Sequence, residues 1–264
     1  MSKRVPPSLT ALGRRPLPAE IALGSSHYTH RRTFKNDFFA VTALYEGEAG
    51  RVLLKVGRQA PFLFVPLGWL GRLLAAREQA IMQCLGDLEG VPRMLGRWGR
   101  TGVVREFIEG HPLDTGGPVP DDFHARLGAL VGRIHQRGLA YVDLEKCDNV
   151  LVGDDGKPYL FDFQIAWYLP RRWGGELWPL RGLRAWFQAG DRYHLLKLRR
   201  RTRPDQMSPE DLAASYRKPW YVRLHRALTW PLQWCRRRIL NRVDPRRKRG
   251  ERGRVDEDRI MEVQ

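Results

Sequence analysis

The sequence predicts an α+β chain in two lobes, a small β-rich one followed by a mainly helical one. Three observations carry this reading. Strand-type runs crowd the first 110 residues, with a single long helical stripe among them. An amphipathic helix and a hairpin come next. Beyond Asp162 the strand signals give out and the pattern turns helical. The chain has 264 residues, of which 42% are hydrophobic, enough for two lobes and for a packed core.

The elements follow in order. Residues 1–26 read as a flexible basic arm, because Pro6, Pro7, Pro16 and Pro18 break any helix. An early strand ends near Phe34, with Lys35-Asn36-Asp37 as its turn. Phe38 to Tyr45 and Arg51 to Val56 are two β-rich runs, separated by a turn at Gly47 to Gly50. Gly68 to Leu85 is helical, with an apolar stripe of Leu70, Leu73, Leu74, Ile81 and Leu85. Gly102 to Ile108 is a short strand. Phe123, Leu127, Leu130, Val131 and Ile134 recur at three- and four-residue steps and make Phe123 to Arg137 an amphipathic helix. Val150 to Val152 and Tyr159 to Phe161 flank the turn Gly153-Asp154-Asp155-Gly156 as a hairpin. The implied organisation is an arm at 1–26, a first lobe with its connection at 27–110, a second lobe at 111–245, and a charged, disordered tail at 246–264.

Composition removes several classes. Cys84, Cys147 and Cys235 are too few and too scattered for a disulfide framework or a zinc site, and fit a reducing compartment. Met1 to Pro18 has no apolar core of the kind a signal peptide needs. No apolar run approaches the ~20 residues that span a bilayer. The most apolar stretch, Pro61 to Leu70, is closed off by Arg72. The expected location is cytoplasmic, with peripheral attachment to the inner membrane as a variant. The net charge is +17, and from Arg171 onward there are 25 Lys and Arg against 11 Asp and Glu, so most of the excess lies in the last third. Such a field attracts polyanions without choosing among them. Nucleic acid ranks last, because no recognised nucleic-acid motif accompanies the charge.

The chemistry is concentrated in Tyr141-Val142-Asp143-Leu144-Glu145-Lys146-Cys147-Asp148-Asn149-Val150-Leu151-Val152 and in Phe161-Asp162-Phe163. Phosphoryl transfer needs a carboxylate to orient the attacking hydroxyl and oxygen ligands for magnesium. Asp143, Asn149 and Asp162 can converge, because the intervening hairpin brings their two loops together. An Asp directly after three apolar residues of a buried strand is costly unless it binds something.

Here the chain resembles the protein-kinase-like superfamily, in particular its atypical bacterial branch, with the lipopolysaccharide core sugar kinases and the RIO-type kinases. The resemblance implies a two-lobe kinase-like fold that uses ATP and Mg2+. It makes Asp143 the catalytic residue, and Asn149 and Asp162 the metal ligands, with Asp148 an alternative to Asn149. Upstream, Val52-Leu53-Leu54-Lys55 resembles the strand motif whose lysine holds the ATP phosphates, and Glu78 on the next helix would pair with it. Val104 to Gly110 resembles the hinge, where the carbonyl of Glu106 and the amide of Ile108 would face adenine. Four departures stand out. Tyr141-Val142 precedes the Asp, in place of the usual His-Arg or His-Gly. The step from Asp143 to Asn149 is six residues, one longer than the usual five. Gln164 replaces the usual glycine after Asp-Phe. The turn Thr33 to Phe39 contains no glycine, leaving its backbone amides or Lys35 to cover the phosphates.

The last third departs furthest. It has no Ala-Pro-Glu, and Trp173, Trp178, Trp186, Trp220, Trp230 and Trp234 are interleaved with Arg. Trp220 to Leu240 reads either as an interfacial helix or as a helix packed on the lobe with an arginine-rich outer face. Asp191 is expected to brace the catalytic loop from below, and His135 reads as a core or helix-surface histidine. The expected activity is transfer of the ATP γ-phosphate to a hydroxyl, on a membrane-associated glycan or lipid or on a protein Ser or Thr. The other reading is a pseudokinase scaffold at an anionic membrane surface.

Overall fold

The computed structural model describes residues 6–62, 64–113, 115–169 and 177–217. In the first lobe, alternating apolar residues fold into four successive antiparallel strands: β1 (Glu20–Leu23), β2 (Ser26–Asn36), β3 (Ala40–Gly47) and β4 (Gly50–Gly57). After helix α1 (Gly68–Leu85), strands β5 (Met94–Trp98) and β6 (Gly102–Glu106) complete a six-stranded sheet of order β1-β2-β3-β4-β6-β5.

The register of β3 with β4 pairs Val41 with Val56, Ala43 with Leu54 and Tyr45 with Val52. These residues share one sheet face and bury it together with Ile21, Tyr28 and Val104. By the period of two, Lys55 points to the opposite face, where α1 lies. Gly71 allows that approach: a Cβ there would stand 2.1 Å from the carbonyl oxygen of Arg58, so the first turns of α1 lie directly on the end of β4.

The second lobe is built on helix α2 (Phe123–Gln136), a three-stranded sheet of order β7-β8-β9 (Gly110–Pro112, Val150–Gly153, Pro158–Leu160), helix α3 (Trp178–Thr202) and helix α4 (Pro209–Tyr216). Ser208 caps α4 by accepting from the amide of Asp211, with Pro209 in the first turn. The apolar stripe of α2 packs with Ile81, Met82 and Leu85 of α1, with Val150, Val152 and Leu160 of the small sheet, and with Leu198 of α3. One continuous core therefore joins the two lobes behind the loops that carry Asp143 and Asp162.

Residues 6–26 are not a flexible arm. Leu9, Ala11 and Leu12 are buried, and β1 is the edge strand of the sheet. The prolines forbid a helix but not packing, and Leu12, Leu17 and Ile21 help cover the face of the sheet that α1 leaves open. Arg58, itself buried, donates to the carbonyls of Ser8 (2.7 Å), Phe38 (2.7 Å) and Pro61 (2.9 Å) and ties the segment down. The first turn also moves. β2 runs on to Asn36, and the reversal falls at Asp37–Phe39. Strands β1, β5 and β7 are short and carry too few alternating residues to stand out in the sequence. Trp173, the stretch Trp220 to Leu240 and the tail 246–264 lie outside the described residues. No described helix is long and apolar enough to cross a membrane.

Candidate active site

Lys55 is buried on β4 and faces α1. Its Nζ donates to Glu78 Oε1 at 3.1 Å and to Asp162 Oδ1 at 2.7 Å. Glu78 is positioned by helical spacing, since it shares the buried side of α1 with Ala75, Ile81, Met82 and Leu85. Asp162 follows the β8–β9 hairpin in the left-handed region, with φ 68°. Burial alone would depress the pKa of Lys55, but the carboxylates of Glu78 and Asp162 outweigh it and hold the ammonium above its ordinary value. Burial would likewise raise Asp162, yet Lys55, with Lys35 and Lys146 further off, holds it below the usual carboxylate value. Three lysines thus direct their charge at one aspartate.

Arg105 of β6 sits opposite Leu53 of β4, on the same face as Lys55. It is buried, its guanidinium stands 4.9 Å from the Phe161 ring centroid, and its Nε has no hydrogen-bond partner among the described residues. Burial pulls its pKa down, opposed by Glu78, Asp162 and Tyr141.

The loop carrying Asp143 is held under strain. Val142 has φ 70°, a region that β-branched residues avoid. It is fixed there by Asp191 of α3, whose Oδ1 accepts from the Val142 amide (2.8 Å) and whose Oδ2 accepts from the Tyr141 amide (2.7 Å). The expected brace from below is therefore present. His135 adds to it, with Nε2 2.8 Å from Asp191 Oδ2. Sequence reasoning set this histidine aside; its place in the last turn of α2, six residues before the loop, was the available signal. Tyr141 is buried, its hydroxyl donates to the carbonyl of Phe161, and its ring meets that of buried Phe163 edge-on at 5.2 Å. The Asp143 and Asp162 loops are thereby coupled, and Phe163 is locked into the core.

The extra residue between Asp143 and Asn149 is absorbed by a 3-10 turn at Cys147–Asn149. Asn149 still reaches back, donating from Nδ2 to Asp143 Oδ2 at 2.8 Å. That donation leaves its amide oxygen as the ligand atom it can offer. Asn149 is buried and Asp148 is exposed. Lys146, not singled out in the sequence, donates to Asp143 Oδ2 at 2.5 Å.

In the turn at 37–39, Asp37 Oδ1 accepts from the amides of Phe39 (2.8 Å) and Ala40 (2.9 Å), and its other oxygen pairs with Lys35 at 3.0 Å. Glu106 closes β6, and Ile108 lies in the connection 107–109 that leads from the large sheet to β7. Phe107 in that connection stacks on Phe34 of β2, with centroids 6.0 Å apart. Among the described residues no cluster of three or more His, Cys, Asp or Glu forms an all-protein metal cage. Magnesium needs none, since it takes one or two carboxylates together with phosphate oxygens and water.

No protein-family model matches the chain, and no curated protein matches its sequence. Its fold does match solved structures. The Rio2 kinase–ADP/Mg2+–phosphoaspartate complex from Chaetomium thermophilum superposes with a TM-score of 0.50 at 19% identity, over 74% of this chain and 61% of that one. A second structure of the Rio2 kinase from the same organism gives 0.48 at 18%, over 67% and 59%. The fold is protein-kinase-like. The chain spans about 61% of the length of the first structure it matches, and at this identity the likeness is one of architecture. Within that architecture Lys55, Glu78 and Asp162 make one contact cluster, and Asp143 and Asn149 make a second. Glu106 and Ile108 stand apart on the inter-lobe connection.

Proposed function

We propose that this protein is an ATP- and Mg2+-dependent phosphotransferase that moves the γ-phosphate to an acceptor hydroxyl. The observation that carries the proposal is the pair Lys55–Glu78 and Lys55–Asp162, assembled from three distant segments at a buried position. A structural role alone gives little reason to gather two carboxylates on one buried lysine, since an apolar trio would stabilise the core as well. In this reading Lys55 holds the α- and β-phosphates, with Glu78 orienting its ammonium. Asp162, through the oxygen not engaged by Lys55, and Asn149, through its amide oxygen, hold the metal. Magnesium supplies charge neutralisation between the phosphates when bound. Asp143 orients the acceptor hydroxyl and takes its proton, with Lys146 beside it balancing charge. Glu106 and Ile108 offer backbone groups to adenine. The acceptor is a membrane-associated glycan or lipid, or a protein Ser or Thr. An ADP/Mg2+ complex of a protein with the same fold supports the choice of nucleotide and metal.

A second reading has its own observation. Two of the amides at this turn, those of Phe39 and Ala40, are already taken by Asp37, so these two are not offered to phosphate. That suits a pseudokinase scaffold at an anionic surface. Thermal melting with ATP and magnesium, on wild type and Asp162→Ala, separates the two. A nucleotide that binds only the folded state raises the melting temperature in proportion to its occupancy. A magnesium-dependent rise that Asp162→Ala abolishes, with slow ATP turnover lost in Asp143→Ala, is the expected result. No rise at saturating nucleotide leaves the scaffold reading.

A further inference from the structure

Away from the cleft, one end of the first lobe combines exposed apolar side chains with predominantly positive charge. The connection from β4 to α1 makes a short turn closed by two hydrogen bonds, Phe62 N to Val65 O and Val65 N to Phe62 O, both 3.0 Å. Arg58 secures its base by donating to the carbonyl of Pro61 and lying 5.9 Å from the Phe62 ring centroid. From this turn Phe64 projects with 99% of its surface exposed. Immediately beyond, α1 presents Trp69 and Leu73, four residues apart on one helical face and 53% and 56% exposed. A lone exposed apolar residue needs no explanation, but two aromatics and a leucine from adjoining elements make a patch.

The field around the patch is predominantly positive; the acid that adjoins it, Asp37, beside the Phe38 ring that lies 5.1 Å from Phe62, is paired with Lys35. The sequence has no Asp or Glu before Glu20, between Glu48 and Glu78, or between Glu89 and Glu106. The same three stretches carry Arg14, Arg15, Arg72, Arg97 and Arg100. They meet at the base of the apolar turn. Arg15 reaches Gln59 Oε1 at 3.5 Å, Gln59 donates to Thr101 Oγ1 at 2.8 Å beside Arg100, and Arg72 lies on α1 between Trp69 and Leu73.

We propose that this end of the first lobe docks on an anionic lipid bilayer, with Phe64, Val65, Trp69 and Leu73 entering the headgroup boundary and Arg15, Arg72 and Arg100 against lipid phosphates. Aromatic rings at headgroup depth flanked by arginine are the chemistry of interfacial anchoring. A protein partner would have to bring an apolar face ringed by acid, whereas an anionic bilayer offers both at once. The surface is separate from the Lys55–Asp162 cluster, so the inference neither needs the phosphotransferase reading nor fails with it.

The test is flotation of the full chain with vesicles of phosphatidylcholine, alone and mixed with phosphatidylglycerol, for wild type, Phe64→Ser, Trp69→Ser and the triple variant Arg15→Gln/Arg72→Gln/Arg100→Gln. All of these side chains are exposed, so melting temperatures should match wild type and serve as the folding control. The expected result is binding to the anionic vesicles that drops about tenfold with Phe64→Ser. The arginine variant should lose about as much or more, and its residual binding should respond less to salt. Failure of wild type to bind anionic vesicles overturns the proposal. So does binding that Phe64→Ser and Trp69→Ser leave unchanged, which would place the lipid contact elsewhere in this basic chain. A wild-type dimer that Phe64→Ser converts to monomer, with no change in lipid binding, would overturn it in favour of a second copy of the chain.

Discussion

Asp191→Ala removes one buried carboxylate and, with it, three hydrogen bonds: from the Tyr141 amide (2.7 Å), the Val142 amide (2.8 Å) and His135 Nε2 (2.8 Å). Each donor left unsatisfied in the interior costs about 1–3 kcal/mol. Against this, Val142 is released from its left-handed conformation, which returns about 1 kcal/mol or more. The net expected loss is about 3 kcal/mol, a large part of the stability of an ordinary domain. The same release lets Asp143 drift, and in the role proposed for it a misplacement of about 1 Å costs on the order of a hundredfold in rate. Urea unfolding followed by circular dichroism gives the first quantity, and ATP turnover at saturating magnesium gives the second. Asp191→Asn, which keeps one acceptor and swaps the other for a donor, should fall between wild type and alanine in both. A loss below about 1 kcal/mol with unchanged turnover would refute the argument that Asp191 holds the loop under strain.

Other perturbations test other parts of the molecule. Val142→Gly keeps the loop bonds but removes the steric penalty at φ 70°, so stability should rise by about 1 kcal/mol in thermal or urea unfolding. His124, buried on α2 with Nε2 2.7 Å from Thr202 Oγ1, has its pKa pushed down to about 4 by burial and by Arg199 and Arg203. Because the unfolded chain takes up that proton more readily than the folded one, stability should be complete above the ordinary histidine value and fall by up to about 3 kcal/mol as pH drops from there to about 4. His124→Gln should flatten that part of the pH profile. Arg58→Met strips a buried cation from the carbonyls of Ser8, Phe38 and Pro61 and should cost about 2–4 kcal/mol. Hydrogen exchange should show the loss concentrated in residues 6–12 and the 37–39 turn.

Much of this was legible beforehand because it rests on local periodicity. Helical periodicity gives α1 its bounds, Gly68–Leu85, but not its buried side, which runs through Gly71, Ala75, Glu78, Ile81, Met82 and Leu85 and leaves Leu73 of the expected stripe in solvent; the Phe123 to Ile134 stripe gives α2. The hairpin between Asn149 and Asp162 was visible as two short β-runs about a Gly-Asp-Asp-Gly turn. Lys55 and Glu78 could be paired in advance through the resemblance to the kinase-like superfamily, and the structure has the pair because Glu78 lies on the buried side of α1. The packing of residues 6–12 was hidden, since prolines in sequence look alike whether a segment is docked or loose. What docks it is Arg58, some fifty residues away, and nothing local announces an arginine whose partners are carbonyl oxygens. Arg105 was hidden for a related reason. Its burial depends on which face of β6 meets α1, and that follows from the pairing of Leu53 with Arg105.

By itself the sequence determined the two-lobe α+β architecture, the order of the motif residues and the identity of the charged groups, because periodicity and residue chemistry are properties of short stretches. Tertiary structure alone decided that Lys55 is shared between Glu78 and Asp162, and that Asp191 and His135 hold Val142 in a strained conformation. These are contacts across as many as a hundred residues of chain, and they exist only once a common core has brought α1, α2, α3 and both sheets together.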